Sequence, residues 1–275
     1  MAAAPFTPVN GQRVFASDPD VRDALFAASI SVADQNDFSS VHINFATDPA
    51  PKDWLERHNI QYHFFNRGYE CFDDFLDTLS SKKRKNIRKE RAQAAASGLD
   101  IQTKLGADLT SADWDCFWAC YQDTGARKWG TPYLTRAFFD EIATSIADQI
   151  VMFVAYENDL PIASALNFRD ANRLLGRYWG CLADYKFLHL ELCYYQAIDF
   201  AIAHQIPLVE AGAQGGHKIA RGYEPVITKS YHKFLHPEFE KVIDRYIRQE
   251  RVGLADYLLD ASQHLPYRKD NVELK

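Results

Sequence analysis

IVMFVAYENDLPIASALNFRDANRLLGRYWGC, at residues 150–181, contains three apolar runs separated by two short polar segments. The runs are rich in β-branched and aromatic residues, which favour strands. The polar segments, Glu157–Asp159 and Arg169–Asn172, have the composition of turns. Because connections this short join antiparallel neighbours, the segment predicts three antiparallel strands: Ile150–Tyr156, Leu160–Phe168 and Arg173–Cys181.

The residues that follow predict how this sheet continues. An apolar helix from Phe187 to His204 leads to a short buried strand at Pro207–Ala211. A helix that crosses from one strand to another in the same sheet implies a mixed sheet, so the fold class is α/β. A last strand at Val226–Leu235 and a helical, charged tail from Pro237 complete this half of the chain.

The residues before the three strands predict two helices and further strands. Leu99–Lys104 has the pattern of a strand, and Thr110 and Thr135 can each cap a helix with an aromatic stripe. The part up to Asn66 is mixed α/β and too small for an independent domain. It predicts a helix at Asp20–Ala33 with Val21, Leu25, Ala28 and Val32 on one face, and three strands: Arg13–Ala16, Val41–Phe45 and Ile60–Phe65.

Phe72 to about Ser97 predicts one long helix with an unusually basic middle. Seven of the eleven residues in Ser81–Arg91 are Lys or Arg, in a chain of net charge −6. Such a concentration is typical of a surface for phosphates, with Lys82, Arg84 and Arg88 as candidate contacts. The alternative is a solvated helix face.

The composition excludes several classes of protein. The chain has 275 residues, of which 47% are hydrophobic, enough for one large or two modest domains. The net charge argues against a generic nucleic-acid binder, although it allows a local basic patch. No apolar run reaches the roughly 20 residues of a membrane span. Five cysteines without a C-x-x-C pair indicate reduced thiols in a cytoplasmic protein and no metal site.

Glu191 is the first candidate for chemistry. It lies near the centre of the apolar arc of the helix that begins at Phe187. A carboxylate in such a position must be paired, have a raised pKa or open into a cavity. Glu191 is therefore a candidate acid or base, and His189 on the same turns is a candidate substrate contact. The alternative is a structural carboxylate satisfied by an Arg, a Tyr or a backbone amide.

The segment from Glu210 to Tyr223 carries the strongest signal. It follows the end of a buried strand, where ligands usually bind, and its glycines allow close approach of the backbone to a ligand. His217 can act as a general base, and Glu210 can orient it or accept the proton itself. Donors for a carboxylate, a phosphate or an oxyanion are supplied by three further residues: Gln214, Lys218 and Arg221.

Arg177 and Tyr178 lie in the third strand of the opening segment and are further candidate substrate contacts. Arg177 within an aromatic strand is either a buried ion-pair partner or a substrate clamp. Glu191 and Glu210 are its candidate partners. Cys181 and Cys193 carry no mark of an activated nucleophile, so both are interpreted as buried small residues.

Several of these motifs resemble one bacterial family. Gly176–Cys181, His189–Gln196, Glu210–Pro225 and Ser80–Arg91 are similar to the FemAB-like, or peptidoglycan biosynthesis/recognition, family of predicted N-acyltransferases in the GNAT superfamily. The Phe6-Thr-Pro-Val motif is similar as well. The resemblance runs from about Pro5 to Leu254.

The resemblance implies a tandem of two GNAT-like folds. The expected organisation is the back half of a first GNAT-like domain (1–70), a basic connecting helix (71–98), a complete second domain (99–236) and a helical tail (237–275). Because relatives carry a stretch before Pro5, the chain is expected to start inside the first domain. The fold further implies that the strands ending at Cys181 and before Glu210 splay apart, with the acyl donor between them.

The resemblance also implies a function. It is transfer of an acyl or aminoacyl group from an activated donor to an amine, such as that of a cell-wall precursor, with no tightly bound cofactor. Relatives use aminoacyl-tRNA, which would give the basic helix phosphates to bind. The Q/R-x-x-G-x-G/A pattern of acetyl-CoA enzymes is replaced by Gly180–His189, with one glycine, so binding of acyl-CoA in the usual manner is not expected. The alternative is a recognition module that binds a precursor or RNA without turnover.

Overall fold

The computed structural model describes residues 7–128 and 130–268. Phe6 of the Phe6-Thr-Pro-Val motif and residues 269–275 of the predicted tail lie outside the described residues. The described elements, in chain order, are α1 (Pro19–Gln35), β1 (Ser40–Ile43), β2 (Leu55–Phe65), α2 (Phe72–Thr78), α3 (Ser81–Ala95), β3 (Asp100–Leu105), α4 (Ser111–Lys128), α5 (Arg136–Ser145), β4 (Ile150–Glu157), β5 (Leu160–Arg169), β6 (Arg173–Cys181), α6 (residues 188–203), β7 (Leu208–Glu210), β8 (Glu224–Phe234) and α7 (Pro237–Gln263).

The chain divides into two compact units. The first comprises residues 1–61, 212–214 and 225–264, and the second comprises residues 62–211, 215–224 and 265–275. This grouping does not follow the four predicted segments, because it places most of the tail with the N-terminal residues and the basic helix with the strands of the quoted segment. The predicted domain boundaries stay a prediction.

The first unit contains α1, α7 and the strands β1, β8 and β2, neighbours in that order. β1 and β8 are antiparallel, with Val41 opposite Lys233. Phe26 and Ala33 are the buried residues of α1. The apolar stripe predicted to face the core is therefore on the wrong side of this helix, since Val21, Leu25 and Val32 are 49%, 47% and 55% exposed. The strand predicted at Arg13–Ala16 is also wrong, because the chain there forms bends.

The second unit is built on a mixed sheet in the order β2-β7-β6-β5-β4-β3. β4, β5 and β6 are antiparallel neighbours, as the quoted segment predicts. β3 adds to them antiparallel to β4, and β6 and β7 are parallel. α4 and α5 cover one face, where their aromatic stripes meet apolar residues of β4 and β5. The predicted caps are present: Thr110 Oγ1 accepts from the Asp113 amide, and Thr135 accepts from the Phe138 amide. The predicted mixed α/β fold is confirmed.

The parallel pair of β6 and β7 is short. Arg173, Leu174 and Leu175 lie opposite Leu208, Val209 and Glu210, and there the pairing ends. From Gly176 to Cys181, β6 is paired with β5, and no other described strand pairs with it there. The two strands therefore diverge after Leu175, as the resemblance implies. A β-bulge at Arg177 accompanies the divergence, since Gly176 pairs with Asn167 whereas Tyr178 already pairs with Leu166.

α6 is not a uniform α-helix. It consists of Leu188–Leu190, a π-helical turn at Glu191–Tyr195, and Gln196–Ala203. Phe187, immediately before it, has a left-handed backbone with φ of 64°. π-helical turns are rare and occur often at functional sites. This one changes which side chains of the helix share a face.

The predicted long helix after Phe72 is wrong in one respect, because it is two helices. α2 ends at Thr78, and Leu79 adopts an extended conformation with ψ of 155°. Leu79 forms an antiparallel bridge with Tyr267, and the Ser80 amide donates to Pro266 O. These partners hold Leu79 outside a helix, and Leu79 is fully buried. Within residues 7–128 and 130–268, no helix has both the length and the apolar character to cross a membrane.

Candidate functional site

The opening between β6 and β7 lies wholly within the second unit and is the centre of the candidate site. Gly176 marks its start: a Cβ atom there would lie 3.4 Å from the carbonyl oxygen of Glu210. Gly180 lies near the far end of the free half of β6. A Cβ atom there would come within 2.5 Å of Cys120, so this strand needs glycine to pack on α4. The free half of β6 therefore has a glycine near each end and the side chains of Arg177, Tyr178 and Trp179 between them.

Four ring side chains form a cluster beside this opening. Trp179 of β6 lies 5.2 Å from His189, and His189 lies 5.4 Å from Tyr194, measured between ring centroids. His217 completes the cluster, 5.7 Å from Tyr194 and 6.4 Å from His189. The Tyr194 hydroxyl and His217 Nε2 are 3.1 Å apart and share a hydrogen bond. We call these four residues, Trp179, His189, Tyr194 and His217, the ring cluster.

His217 is the ring cluster's exposed member. The pKa of His217 is lowered by burial of part of the ring and by the positive charges of Arg221 and Lys218. The imidazole is therefore neutral at pH 7 and can accept a proton. Burial also lowers the pKa of Lys218, to about 8. Lys218 is 5% exposed, and its ammonium donates to the carbonyl oxygen of Ala211.

The glycine-rich segment has a backbone that only glycine adopts readily. Gly215 and Gly222 have φ of 96° and 90° and flank a 3₁₀ turn at Gly216–Arg221. A Cβ atom on Gly215 would lie 2.5 Å from the His217 ring. Arg221 closes the turn, because it binds Glu90 of α3 through two hydrogen bonds of 2.8 and 3.1 Å. The glycines therefore set the position of His217, as expected for a segment that approaches a ligand.

Glu210 ends β7 and is 5% exposed. Its carboxylate lies 3.5 Å from Arg173, and it is paired in register with His63 of β2 and Leu175 of β6. His63 is buried, and burial together with the charge of Arg173 lowers its pKa to about 4. A neutral imidazole therefore lies on the strand next to Glu210. No sequence pattern indicated His63, because β2 adjoins β7 only in the folded chain.

Glu191 has different surroundings. Arg91 of α3 donates to both its oxygens, at 2.8 and 3.2 Å, and Gln196 donates to one of them at 2.9 Å. Arg91 also binds Asp199, at 2.6 Å, and its guanidinium lies 4.4 Å from the centre of the Phe72 ring. Glu191 is thus a buried carboxylate with an arginine partner, which is the structural alternative considered for it. A cavity of about 430 Å³ lies beside it, with Arg91 and Gln196 in its wall.

Arg177 and Tyr178 lie on the face of the sheet that α4 and α5 cover. The Arg177 guanidinium stacks 4.7 Å from the centre of the Tyr178 ring, and its Nη2 donates to the Tyr133 hydroxyl at 2.9 Å. The described residues supply no ion pair for it. The expectation that Glu191 or Glu210 binds Arg177 is therefore wrong: their arginine partners are Arg91 and Arg173.

A cavity of about 480 Å³ opens at the end of β6. Trp179 and His189 of the ring cluster form part of its wall, and Arg127 is its cationic residue. The remaining wall comes from the end of β6, the loop after it and the last turns of α4: Asp123, Cys181, Leu182, Ala183, Asp184, Tyr185 and Leu188. The resemblance implies a donor between Gly180-Cys181 and Glu210–Lys218. The wall of this cavity includes Cys181 from the first side and no residue from the second.

The basic helix α3 separates into two sets of cations. Arg84 and Arg88 bind Asp77 and Asp73 of α2, at 2.5 and 2.9 Å. Lys82, Lys85 and Lys89 are exposed, and their spacing places them on one side of α3. The arginines among the predicted phosphate contacts are therefore already engaged with carboxylates, whereas the lysines face solvent.

The structure thus brings some of the predicted site residues together and separates others. Tyr194 is surrounded by His189, His217 and Lys218, a role that the sequence did not indicate. Arg221 fixes the turn that carries His217 and Lys218. The ring cluster does not include Glu191, Glu210 or Arg177, each of which has different neighbours. Gln214 is exposed and belongs to the first unit. All five cysteines are free.

Comparison with known proteins identifies the relatives of the chain. Residues 1–269 match the FemAB-like family, described as peptidoglycan biosynthesis/recognition. No curated protein matches the chain. A crystal structure of FemX has a TM-score of 0.55 at 11% identity, covering 87% of this chain and 84% of FemX. L-PGS from Bacillus licheniformis has a TM-score of 0.53 at 11% identity, covering 83% of this chain and 79% of its own. At these identities the likeness concerns the fold alone.

Proposed function

The chain belongs to the FemAB-like family of peptidoglycan biosynthesis/recognition, and from this membership we propose that it is an N-acyltransferase. It transfers an acyl or aminoacyl group from an activated donor to an amine, and the amine belongs to a cell-wall precursor. The proposal rests on one observation: a cavity and a candidate general base lie side by side at the end of β6. A cavity of about 480 Å³ adjoins the ring cluster, and the cluster presents a neutral, exposed imidazole.

In the proposed reaction the donor occupies that cavity, with its carbonyl directed to the opening between β6 and β7. The acceptor amine attacks the carbonyl carbon, and His217 accepts the proton that the amine loses. Donors of the glycine-rich segment stabilise the oxyanion of the tetrahedral intermediate. The intermediate collapses, the bond to the leaving group breaks, and the acylated amine and the protonated leaving group are released. Transfer is direct, without a covalent enzyme intermediate.

Neutral imidazole is the preferred base for a physical reason. Glu210 lies 3.5 Å from Arg173, and Glu191 is bound by Arg91, so both carboxylates have cations beside them. Both carboxylates are therefore already engaged in ion pairs. His217 instead has cations that lower its pKa, which keeps it unprotonated and ready at pH 7. Glu210 remains the second candidate because it ends the strand that borders the opening.

The donor is proposed to be aminoacyl-tRNA, with acyl-CoA as the competing possibility. Exposed lysines on one side of α3 would bind its phosphates: Lys82, Lys85 and Lys89. Each phosphate contact that is lost should lower the slope of log affinity against log salt concentration by about one. Lys82→Gln, Lys85→Gln and Lys89→Gln together should therefore weaken tRNA binding and flatten its salt dependence, while acyl-CoA binding stays unchanged.

The decisive experiment supplies the purified chain with donor and acceptor and follows the product by mass spectrometry. Aminoacyl-tRNA and acyl-CoA are offered separately as donors, and UDP-linked muropeptides as acceptors. His217→Ala should lower kcat about 100- to 1,000-fold, as expected for loss of a general base. Glu210→Ala is the parallel variant, and circular dichroism checks that both remain folded. Full activity in the folded double variant would overturn the assignment of the site.

The same experiment separates the enzyme from a recognition module. An enzyme binds one donor and one acceptor saturably and releases a product. A module binds the precursor or the RNA and forms no product with either donor, and this outcome would overturn the transferase proposal.

A further inference from the structure

We infer that Arg177, Tyr133 and Tyr178 form an anion-binding subsite that takes a carboxylate or phosphate group of the acceptor. The inference rests on the proposed function and deepens it, because it gives the acceptor a second chemical feature besides its amine. We call these three residues the Arg177 subsite.

The first argument is that the Arg177 guanidinium is held in place but not neutralised. Its Nη2 donates to the Tyr133 hydroxyl, and the Tyr133 and Tyr178 hydroxyls share a hydrogen bond of 2.8 Å. Its plane stacks on Tyr178, whose ring lies 5.0 Å from that of Tyr121 in the core. A guanidinium has five N–H donors. One of them is used by Tyr133, so the others are available to a ligand.

The second argument compares Arg177 with other arginines of the second unit. Arg84, Arg88, Arg91, Arg173 and Arg221 each form an ion pair with a carboxylate. Within residues 7–128 and 130–268, Arg177 and Arg169 form none, but Arg169 lies at the end of β5 and donates to the backbone carbonyl of Asp148. Half-buried arginines are normally paired, because loss of hydration must be offset. A planar guanidinium fixed on an aromatic face matches a carboxylate or a phosphate with two parallel hydrogen bonds.

The third argument is position. The β-bulge directs Arg177 and Tyr178 to the same face of the sheet, and it occurs where β6 leaves β7. Trp179, the next residue but one after Arg177, belongs to the ring cluster. Two residues of a strand span about 6–7 Å. Because neighbouring side chains of a strand point to opposite faces, Tyr178 faces α4 and α5 whereas Trp179 faces α6. An acceptor whose anionic group binds Arg177 therefore reaches the proposed base by passing the edge of β6 that β7 leaves unpaired.

Binding measured without turnover tests the subsite independently of catalysis. Isothermal titration calorimetry on the whole chain would use two anionic probes, the peptide L-Lys-D-Ala-D-Ala and UDP, which carry a carboxylate and a diphosphate. The amidated peptide and uridine are their counterparts without the carboxylate and without the diphosphate. At least one probe should bind the native chain with an affinity about 10- to 100-fold above that of its counterpart without the anionic group. Arg177→Gln should abolish that difference.

The matched control is Arg169→Gln. Arg169 lies at the end of the neighbouring strand β5, opposite Leu174 of β6, and its guanidinium lies 6.0 Å from the centre of the Phe200 ring. This variant should leave the anion preference unchanged, and Tyr133→Phe should reduce it a few-fold by releasing the guanidinium. Preference for the peptide would identify a carboxylate as the ligand group, and preference for UDP a phosphate. The inference is overturned if neither probe loses affinity in Arg177→Gln, or if Arg169→Gln loses as much.

Failure of this inference and failure of the proposed function give different results. His217→Ala should abolish transfer and keep the anion preference, whereas Arg177→Gln should raise KM for the acceptor more than it lowers kcat. A chain that binds the anion through Arg177 but never forms product refutes the transferase and retains the subsite. A chain that transfers normally in Arg177→Gln refutes the subsite and retains the transferase.

Discussion

The two sides of α6 both carry candidate catalytic residues in the sequence, but in the structure these residues differ in their hydrogen-bond partners and in their exposure. On one side, Glu191 is enclosed by Arg91, Gln196 and, through Arg91, Asp199. On the other side, Tyr194 meets His217, whose ring remains exposed. A buried polar group whose hydrogen bonds are complete contributes to specifying the fold, whereas an exposed imidazole retains the capacity to bind and react. Glu191 and Tyr194 are equally buried, so the two sides differ in what these residues bind: an arginine and a glutamine on one side, and an exposed histidine on the other.

The first test of this difference removes Arg91, the cation that binds Glu191. Arg91→Ala leaves Glu191, which is 4% exposed, without its cation, and this should lower the free energy of unfolding by about 3 kcal/mol. Urea unfolding would measure the loss. Arg88→Ala is the control, because the Arg88–Asp73 pair is exposed and should matter by less than about 1 kcal/mol. Equal losses in the two variants would show that the Glu191 side is not a stabilising network.

The second test concerns the open side and the strand that borders it. Gly180→Ala puts a Cβ atom within 2.5 Å of Cys120, so β6 and α4 must separate, at a cost of about 1–3 kcal/mol. Gly176→Ala, with its nearest contact at 3.4 Å, should cost less than about 1 kcal/mol. Thermal unfolding of both variants checks the order. A more destabilised Gly176→Ala would contradict the described packing of the free half of β6.

The third test is the pH dependence of transfer. A base acts when it is unprotonated, and the pKa of His217 lies below its usual value. The rate should therefore be constant around neutral pH and fall, by up to about tenfold per pH unit, only below that lowered pKa. Tyr194→Phe should shift this acidic limb by changing the hydrogen bond to Nε2. An acidic limb that persists in folded His217→Gln would assign the titration to another group.

The smallest expected effect is that of Glu191→Gln on catalysis. If Glu191 is structural, kcat should remain within about threefold of the native value, since the amide keeps the shape of the side chain and Arg91 keeps Asp199. The free energy of unfolding should still decrease, because a charge-assisted hydrogen bond is lost. Steady-state kinetics on the folded variant measures this. A loss as large as that of His217→Ala would return Glu191 to the catalytic residues.

The sequence predicted the fold better than the site, for a physical reason. Strand runs, turn segments and helix caps are local, so β4 to β6 and the caps at Thr110 and Thr135 could be predicted from neighbouring residues. The break at Leu79 could not, because its partner Tyr267 is remote in sequence. The exposed stripe of α1 shows the same limit. An apolar face is visible in the sequence, but which face the rest of the chain covers is not.

The candidate site shows the limit again. The burial of Glu191 followed from helical periodicity, but its arginine could have been any of several, and Arg91 was hidden within a run of seven cations. The glycines around His217 pointed to a close approach of the backbone, and Gly215 does lie against that ring. His63 and Tyr133 are brought to their partners by tertiary structure, and nothing in their own sequence surroundings distinguished them. Tyr194 lies in the His189–Gln196 motif, but its contact with His217 also depends on tertiary structure.

The π-helical turn at Glu191–Tyr195 has a consequence for how this site can vary among related chains. Such a turn holds one residue more than an α-helical turn over the same backbone path. Deletion of a single residue there would restore an α-helical turn over that path, so Leu188–Leu190 and Gln196–Ala203 would keep their faces. Only the side chains within the turn, Glu191 and Tyr194 among them, would change their positions relative to one another. A one-residue gap is thus the smallest change in length that would alter how the two sides of α6 are placed, so the length of this turn is as informative about function as the identity of its residues.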